Sequence, residues 1–170
     1  MPAFFYQKDY SFYDEDFVLS ADSVLRTDGF YVLAGTADKQ GNIVDTPDVY
    51  EVYKFYKTGQ VNFLLMDTRQ DNGGYLNAMK DQIEAGEAVG TLFQGYYKVY
   101  GDKIIIEQVN TVTTNFIYSY GLVEHDTLKV AKKTIEGSGA FRADYFLGKS
   151  TMVYRFSPDQ KAESELSPNW

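Results

Sequence analysis

The chain has 170 residues, 24 acidic against 16 basic for a net charge of −8, no Cys, one His, 15 Tyr and 12 Phe. Without clustered Lys and Arg it has nothing to hold a phosphate backbone, so nucleic acid is set aside, and an anionic membrane surface would repel it. Disulfides, thiolate nucleophiles and cysteine metal sites are excluded, no apolar run spans a bilayer, and the length suits one domain with a sizeable core.

Residues 1–24 read as an acidic, aromatic arm, with Asp14-Glu15-Asp16 among Tyr6, Tyr10, Phe12, Tyr13 and Phe17. Large aromatics are mostly buried for packing, so the arm is expected to lie across the outside of the domain. Gly29 to Ala34 is the first strand. Residues 35–48, rich in Gly, Asp, Thr and Pro, read as a long loop. Val49 to Tyr56 and Val61 to Met66 follow as strands joined through Gly59. After the break Asp71-Asn72-Gly73-Gly74, Leu76, Met79 and Ile83 share one helix face, and the helix is expected to end near Gly86. Leu92 to Tyr100 pairs with Lys103 to Asn110 across Gly101-Asp102, and Asn115 to Val123 pairs with Thr127 to Thr134. Phe141 to Phe146 is a short helix or strand, and Thr151 to Phe156 is the last strand. Ser157 onward reads as a polar tail with little to pack except Trp170.

The expected fold is therefore all-β: an eight-stranded antiparallel up-and-down barrel with one short helix between strands 3 and 4. The domain is single, with the arm at 1–24, the barrel at 25–157 and the tail at 158–170. A long meander must bury its edges, most simply by closing, and about eight strands enclose either packed side chains or one small ligand.

Alternation splits each strand into two faces. With Lys98, Lys103 and Glu107 toward water, Tyr97, Val99, Ile104 and Ile106 face in. On the next strand Phe116, Tyr118, Tyr120 and Leu122 form the better interior set. Leu128 and Val130 then face in, with Lys129 and Lys133 out, and on the last strand Met152, Tyr154 and Phe156 lie on the face opposite Thr151, Val153 and Arg155. The second strand carries Glu51 on one face and Lys54 on the other, which leaves its orientation open.

Catalytic chemistry has little to work with. His125 sits in the acidic turn Glu124-His125-Asp126, where a solvated turn residue is expected. Asp67 and Asp71 bracket Arg69 in a polar loop, and Gly137-Ser138-Gly139 is neither a nucleophile elbow nor a phosphate loop. No enzyme activity, cofactor or metal is expected.

Gly29-Phe30-Tyr31 opens the first strand, where lipocalins carry a Gly-x-Trp motif, and Arg155 lies in Tyr154-Arg155-Phe156 on the last. On these residues the chain resembles a divergent lipocalin-like protein of the calycin type, with Tyr31 replacing the Trp. The resemblance implies a barrel-closing set of Gly29, Tyr31 and Arg155, with the guanidinium over the Tyr31 ring. The run Leu25 to Tyr31 also resembles the start of the barrel in bacterial lipocalin-like envelope proteins, many of them lipid-anchored. That implies a cell-envelope or secreted protein if the chain is a mature segment lacking its leader, and a cytoplasmic one otherwise. The functional expectation is a binding protein holding a small apolar or amphipathic ligand, with Phe63, Tyr97, Tyr118 and Tyr154 lining the lumen. The alternative is a structural or protein-interaction barrel whose interior the same aromatics fill.

Overall fold

Aromatic and β-branched residues alternating between short polar turns pair into one continuous antiparallel sheet. The computed structural model describes residues 5–70, 73–85, 93–134 and 139–170. Its strands are β1 (Gly29–Ala37), β2 (Ile43–Asp45), β3 (Tyr50–Phe55), β4 (Gln60–Met66), β5 (Gln94–Tyr100), β6 (Lys103–Asn110), β7 (Asn115–Glu124), β8 (Thr127–Thr134) and β9 (Thr151–Pro158). From β3 each strand pairs with the next, and β9 returns to β1 between Gly29↔Pro158 and Ala37↔Thr151. That pairing closes an eight-stranded barrel of β1 and β3 to β9, which leaves the ring without an unpaired edge.

The ninth strand, β2, arises inside the segment expected to be a plain loop. It stands outside the ring and pairs only with the end of β1, through Thr36↔Asp45 and Ala37↔Ile43. Gly35 makes this approach possible: its φ is +151°, and a β-carbon there would lie 2.3 Å from the Asp45 carbonyl oxygen. Because of β2, helix α1 (Gly74–Glu84) follows the fourth strand of the chain, which is the third of the barrel. The expected ends at Gly86 and Leu92, together with Asp71, Gly137 and Ser138, lie outside the described residues. No helix among the described residues is long and apolar enough to cross a membrane.

Register decides which face is inside, because directly opposed residues share a face. Tyr31, Tyr53, Phe55, Phe63, Tyr97, Ile104, Ile106, Leu128 and Tyr154 meet in one buried interior cluster. Ile104 opposes Gly121 and Ile106 opposes Ser119. On β7 the inward residues are therefore Ser119, Gly121 and Val123, which corrects the expected set. Tyr118 opposes Glu107 and Tyr120 opposes Ile105, so Phe116, Tyr118, Tyr120 and Leu122 face outward.

Both outer flanks of the sheet are covered, which is why alternation alone misleads here. Over β5 to β7, the arm residues Tyr10 and Phe12, with Phe146 from the one-turn 3-10 helix Ala143–Phe146, bury Tyr96, Ile105, Tyr118 and Tyr120. Over β1, β3 and β4, helix α1 sets Tyr75, Leu76 and Met79 against Phe30, Val52 and Leu64. The C-terminal segment joins this second layer and is more than a polar tail. It forms α2 (Lys161–Glu165), buries Ala162 and Leu166 there, and its Trp170 carbonyl accepts the Gln60 side-chain amide at 2.6 Å.

Among the described residues two charged side chains are buried under these layers. Glu107 faces outward as expected but meets no water. Its carboxylate accepts the Phe12 N–H at 3.1 Å, the Tyr118 hydroxyl at 2.9 Å and the Ser11 hydroxyl. Lys54, 1% exposed, donates to the Phe55 carbonyl at 3.0 Å and to the Thr27 carbonyl, with its ammonium 4.9 Å from the Tyr56 ring centroid. Burial lowers its pKa to about 8, with the charges of Glu163 and Asp28 opposing.

Candidate functional site

The two ends of the barrel differ. At the base, Leu25 is buried in the interior cluster and Phe17 and Leu19 pack against it, which closes that end with the chain leading into β1. Tyr31 opposes Phe156, their rings 5.0 Å apart, and its hydroxyl accepts the Arg26 backbone N–H at 3.1 Å. The cation here is Arg26, whose guanidinium lies 4.1 Å from the Phe156 ring centroid. It also reaches Asp28 through Nε at 3.0 Å and Nη2 at 2.7 Å, and Asp126 through Nη1 at 3.1 Å.

The expected Tyr31–Arg155 pair does not form. Arg155 opposes Val32, one residue out of phase with Tyr31, so its side chain is exposed on the outer wall. Gly29 lies at the start of β1. It opposes Pro158, and a β-carbon there would lie 2.3 Å from the Ser157 carbonyl oxygen.

The barrel axis is filled. Ring centroids step from Phe17 to Tyr97 (5.6 Å), Tyr97 to Phe55 (5.2 Å), Phe55 to Tyr53 (5.7 Å), and from Tyr53 to Phe63 (5.0 Å) and Tyr154 (4.8 Å). Edge and tilted contacts of this kind pack as a core does. Tyr97 donates its hydroxyl to the Tyr56 carbonyl at 2.6 Å, so it is fully engaged. Of the four residues expected to line a lumen, Phe63, Tyr97 and Tyr154 do share the interior. Tyr118 is on the other side of the wall, bound to Glu107 beneath the arm.

Toward the opposite end the described residues form a concavity. A cavity of about 340 Å3 is lined by Phe63, Leu65, Phe93, Val109, Val112 and Ile117, with Glu51, Gln108, Asn110 and Thr111 as its polar residues. Glu51 shares the inward face of β3 with Tyr53 and Phe55, which settles the orientation of that strand. Its Oε1 accepts the Tyr154 hydroxyl at 3.1 Å and lies 3.5 Å from Lys133 Nζ. Lys133 was expected to face out. An irregularity in the β7–β8 ladder at Tyr120/Gly121 shifts the register so that Lys133 opposes the inward Ser119.

Among the described residues, the Glu51 carboxylate and the Lys133 ammonium meet here beside the Tyr53 and Tyr154 phenols. Burial, then the Glu51 charge, hold the Tyr53 and Tyr154 phenols well above their ordinary value, so both stay protonated donors. The Ser119 hydroxyl, fully buried on the inward face beside Ile106, has no hydrogen-bond partner among the described residues. An apolar pocket with a few convergent polar groups is the usual form of a small-molecule site, although 340 Å3 is at the small end. Sequence reading does not single out Phe93 or Ser119, leaves the orientation of Glu51 open and places Lys133 on the wrong face. The inward Glu was visible as a charge in an aromatic strand, whereas Lys133 depends on a bulge that no local signal marks.

Of the residues set aside for catalysis, His125, Asp67 and Arg69 are described. His125 is exposed at its turn with a φ of +52°, and Asp67 and Arg69 are exposed beyond β4, Arg69 against the Tyr50 ring. Among the described residues no group of three or more His, Asp or Glu could hold a metal ion. No protein-family model, no curated protein and no solved structure matches the chain.

Proposed function

We propose that this chain is a lipocalin-like, non-enzymatic binding barrel that holds a small amphipathic molecule at its mouth rather than along a full-length lumen. The observation that carries this reading is the apolar cavity at the open end, walled by Phe63, Phe93 and Ile117 and edged by Glu51. The ligand's apolar body would be held by burial against those walls, at roughly 25 cal/mol per Å2. Its polar end would meet the Glu51–Lys133 pair. Because the aromatic axis blocks deeper entry, the fitting ligand is short.

The filled axis also supports a second reading, an interaction barrel whose interior is only core. Native mass spectra separate the two. The purified protein is measured before and after organic extraction, then after soaking with medium-chain alkyl amines, fatty acids and aromatic alcohols. A bound mass that Phe93→Ala and Leu65→Glu remove, while Tyr118→Phe keeps it, is expected. An unchanged apo mass across the panel would overturn the mouth site and leave the filled interaction barrel.

A further inference from the structure

Arg155, excluded from the barrel base, belongs to a second concavity outside the barrel wall. A groove of about 370 Å3 lies over the outer faces of β8 and β9 and under the β1–β2 turn. Three cations line it from three different elements: Lys129 on β8, Arg155 on β9 and Lys39 in the turn. The ladder pairs Thr127 with Arg155 and Lys129 with Val153. Lys129 and Arg155 are therefore diagonal neighbours on one face, within mutual reach of long side chains.

These charges are largely unspent. Among the described residues Arg155 and Lys39 have no ion-pair partner. Lys129 has a half-exposed one, Glu124 at 2.8 Å, which is worth little. The one acid lining the groove, Asp38, is turned into its own loop, where it accepts the Gln40 and Asn42 N–H groups, both at 2.9 Å. Thr127 and Thr151 add hydroxyls, and the buried Ala37 and Val153 give an apolar floor. The turn is held over this floor by the Gly35 approach described above, so the concavity is a product of the fold. On a chain of net charge −8 the wider field repels anions, and only local cations can retain one.

We propose that the groove formed by Lys39, Lys129 and Arg155 binds a small phosphate. The Arg155 fork suits two phosphate oxygens at once, and the lysines add point charges beside it. The proposal is independent of the mouth site. It is tested by calorimetric titration of the full chain with inorganic phosphate and with glycerol 3-phosphate at low ionic strength. Saturable binding is expected, weakened roughly tenfold or more by Arg155→Gln and less by Lys39→Gln, and reduced by added sodium chloride. Tighter binding of glycerol 3-phosphate would identify a phosphomonoester as the ligand, and equal binding would identify phosphate itself. Both side chains are exposed, so the variants should keep the parent melting temperature. No saturable binding of either compound at millimolar concentration, or binding that Arg155→Gln leaves unchanged, would overturn the proposal.

Discussion

Glu107→Ala should unlatch the N-terminal arm. The Glu107 carboxylate is fully buried and is the common acceptor for the Phe12 N–H, the Tyr118 hydroxyl and the Ser11 hydroxyl. Removing it strands the Phe12 N–H beneath packed aromatics, while the Tyr118 hydroxyl keeps the Ser11 hydroxyl at 3.1 Å and Ser11 is exposed enough to find water. An orphaned buried donor costs about 1–3 kcal/mol, and with the two hydroxyl bonds to the carboxylate also lost the total is roughly 2–4 kcal/mol after the recovered desolvation of the carboxylate is set against it. That is a large share of the roughly 5–15 kcal/mol that holds a domain together. Tyr118→Phe should cost only about 1 kcal/mol, because Glu107 keeps its other two donors. Urea unfolding gives the energies, and hydrogen exchange at the Phe12 amide reports arm docking. A Glu107→Ala loss under about 0.5 kcal/mol, or unchanged protection at Phe12, would refute the latch. So would a Tyr118→Phe loss as large as that of Glu107→Ala.

Two further outcomes follow from the buried charges and the base. Lys54 has a folded pKa of about 8 against 10.5 unfolded, so between those values the unfolded chain binds the extra proton and stability rises with pH, by at most about 3 kcal/mol. Above pH 10 the sign reverses. Tyr31, Tyr96 and Tyr118 keep their protons to about 12 when folded, while the unfolded chain releases them from 10. Denaturation across this range should show a maximum near pH 10, and Lys54→Met should flatten the rise from pH 8 without altering the later fall. A parent profile flat from pH 8 to 10 would count against the buried ammonium. At the base, Arg26→Met should cost about 1 kcal/mol, a value discounted for the partial exposure of its ion pairs, whereas Arg155→Met should be neutral in the same melt. Equal losses would mean that the closing arginine has been misassigned.

Local chemistry made the barrel legible before any contact was known. Alternation in β5 to β9 and the polar turns at Gly59, Gly101 and Glu124 to Asp126 define strands whose ends need no distant partner to be seen. The spacing of Leu76, Met79 and Ile83 likewise gave the face of α1 that turns to the sheet. Tyr97 could be placed inside because Lys98, Lys103 and Glu107 mark the other face of its hairpin. On β7 the same reasoning failed, since the outward set Phe116, Tyr118, Tyr120 and Leu122 is more apolar than the inward Ser119 and Gly121. The arm and the Ala143–Phe146 turn cover that outer face, and a covered face must be as apolar as a core. Period two defines two faces, but which one is inside is set by register and by what lies on top, both non-local. Non-local events of the same kind turn Lys133 toward Glu51 through a bulge, hand the base to Arg26 and leave Arg155 outside. Sequence by itself determined the strands and their turns, because those depend on neighbours along the chain. Tertiary structure decided the mouth, the latch and the outer groove, because each joins residues that only barrel closure brings together.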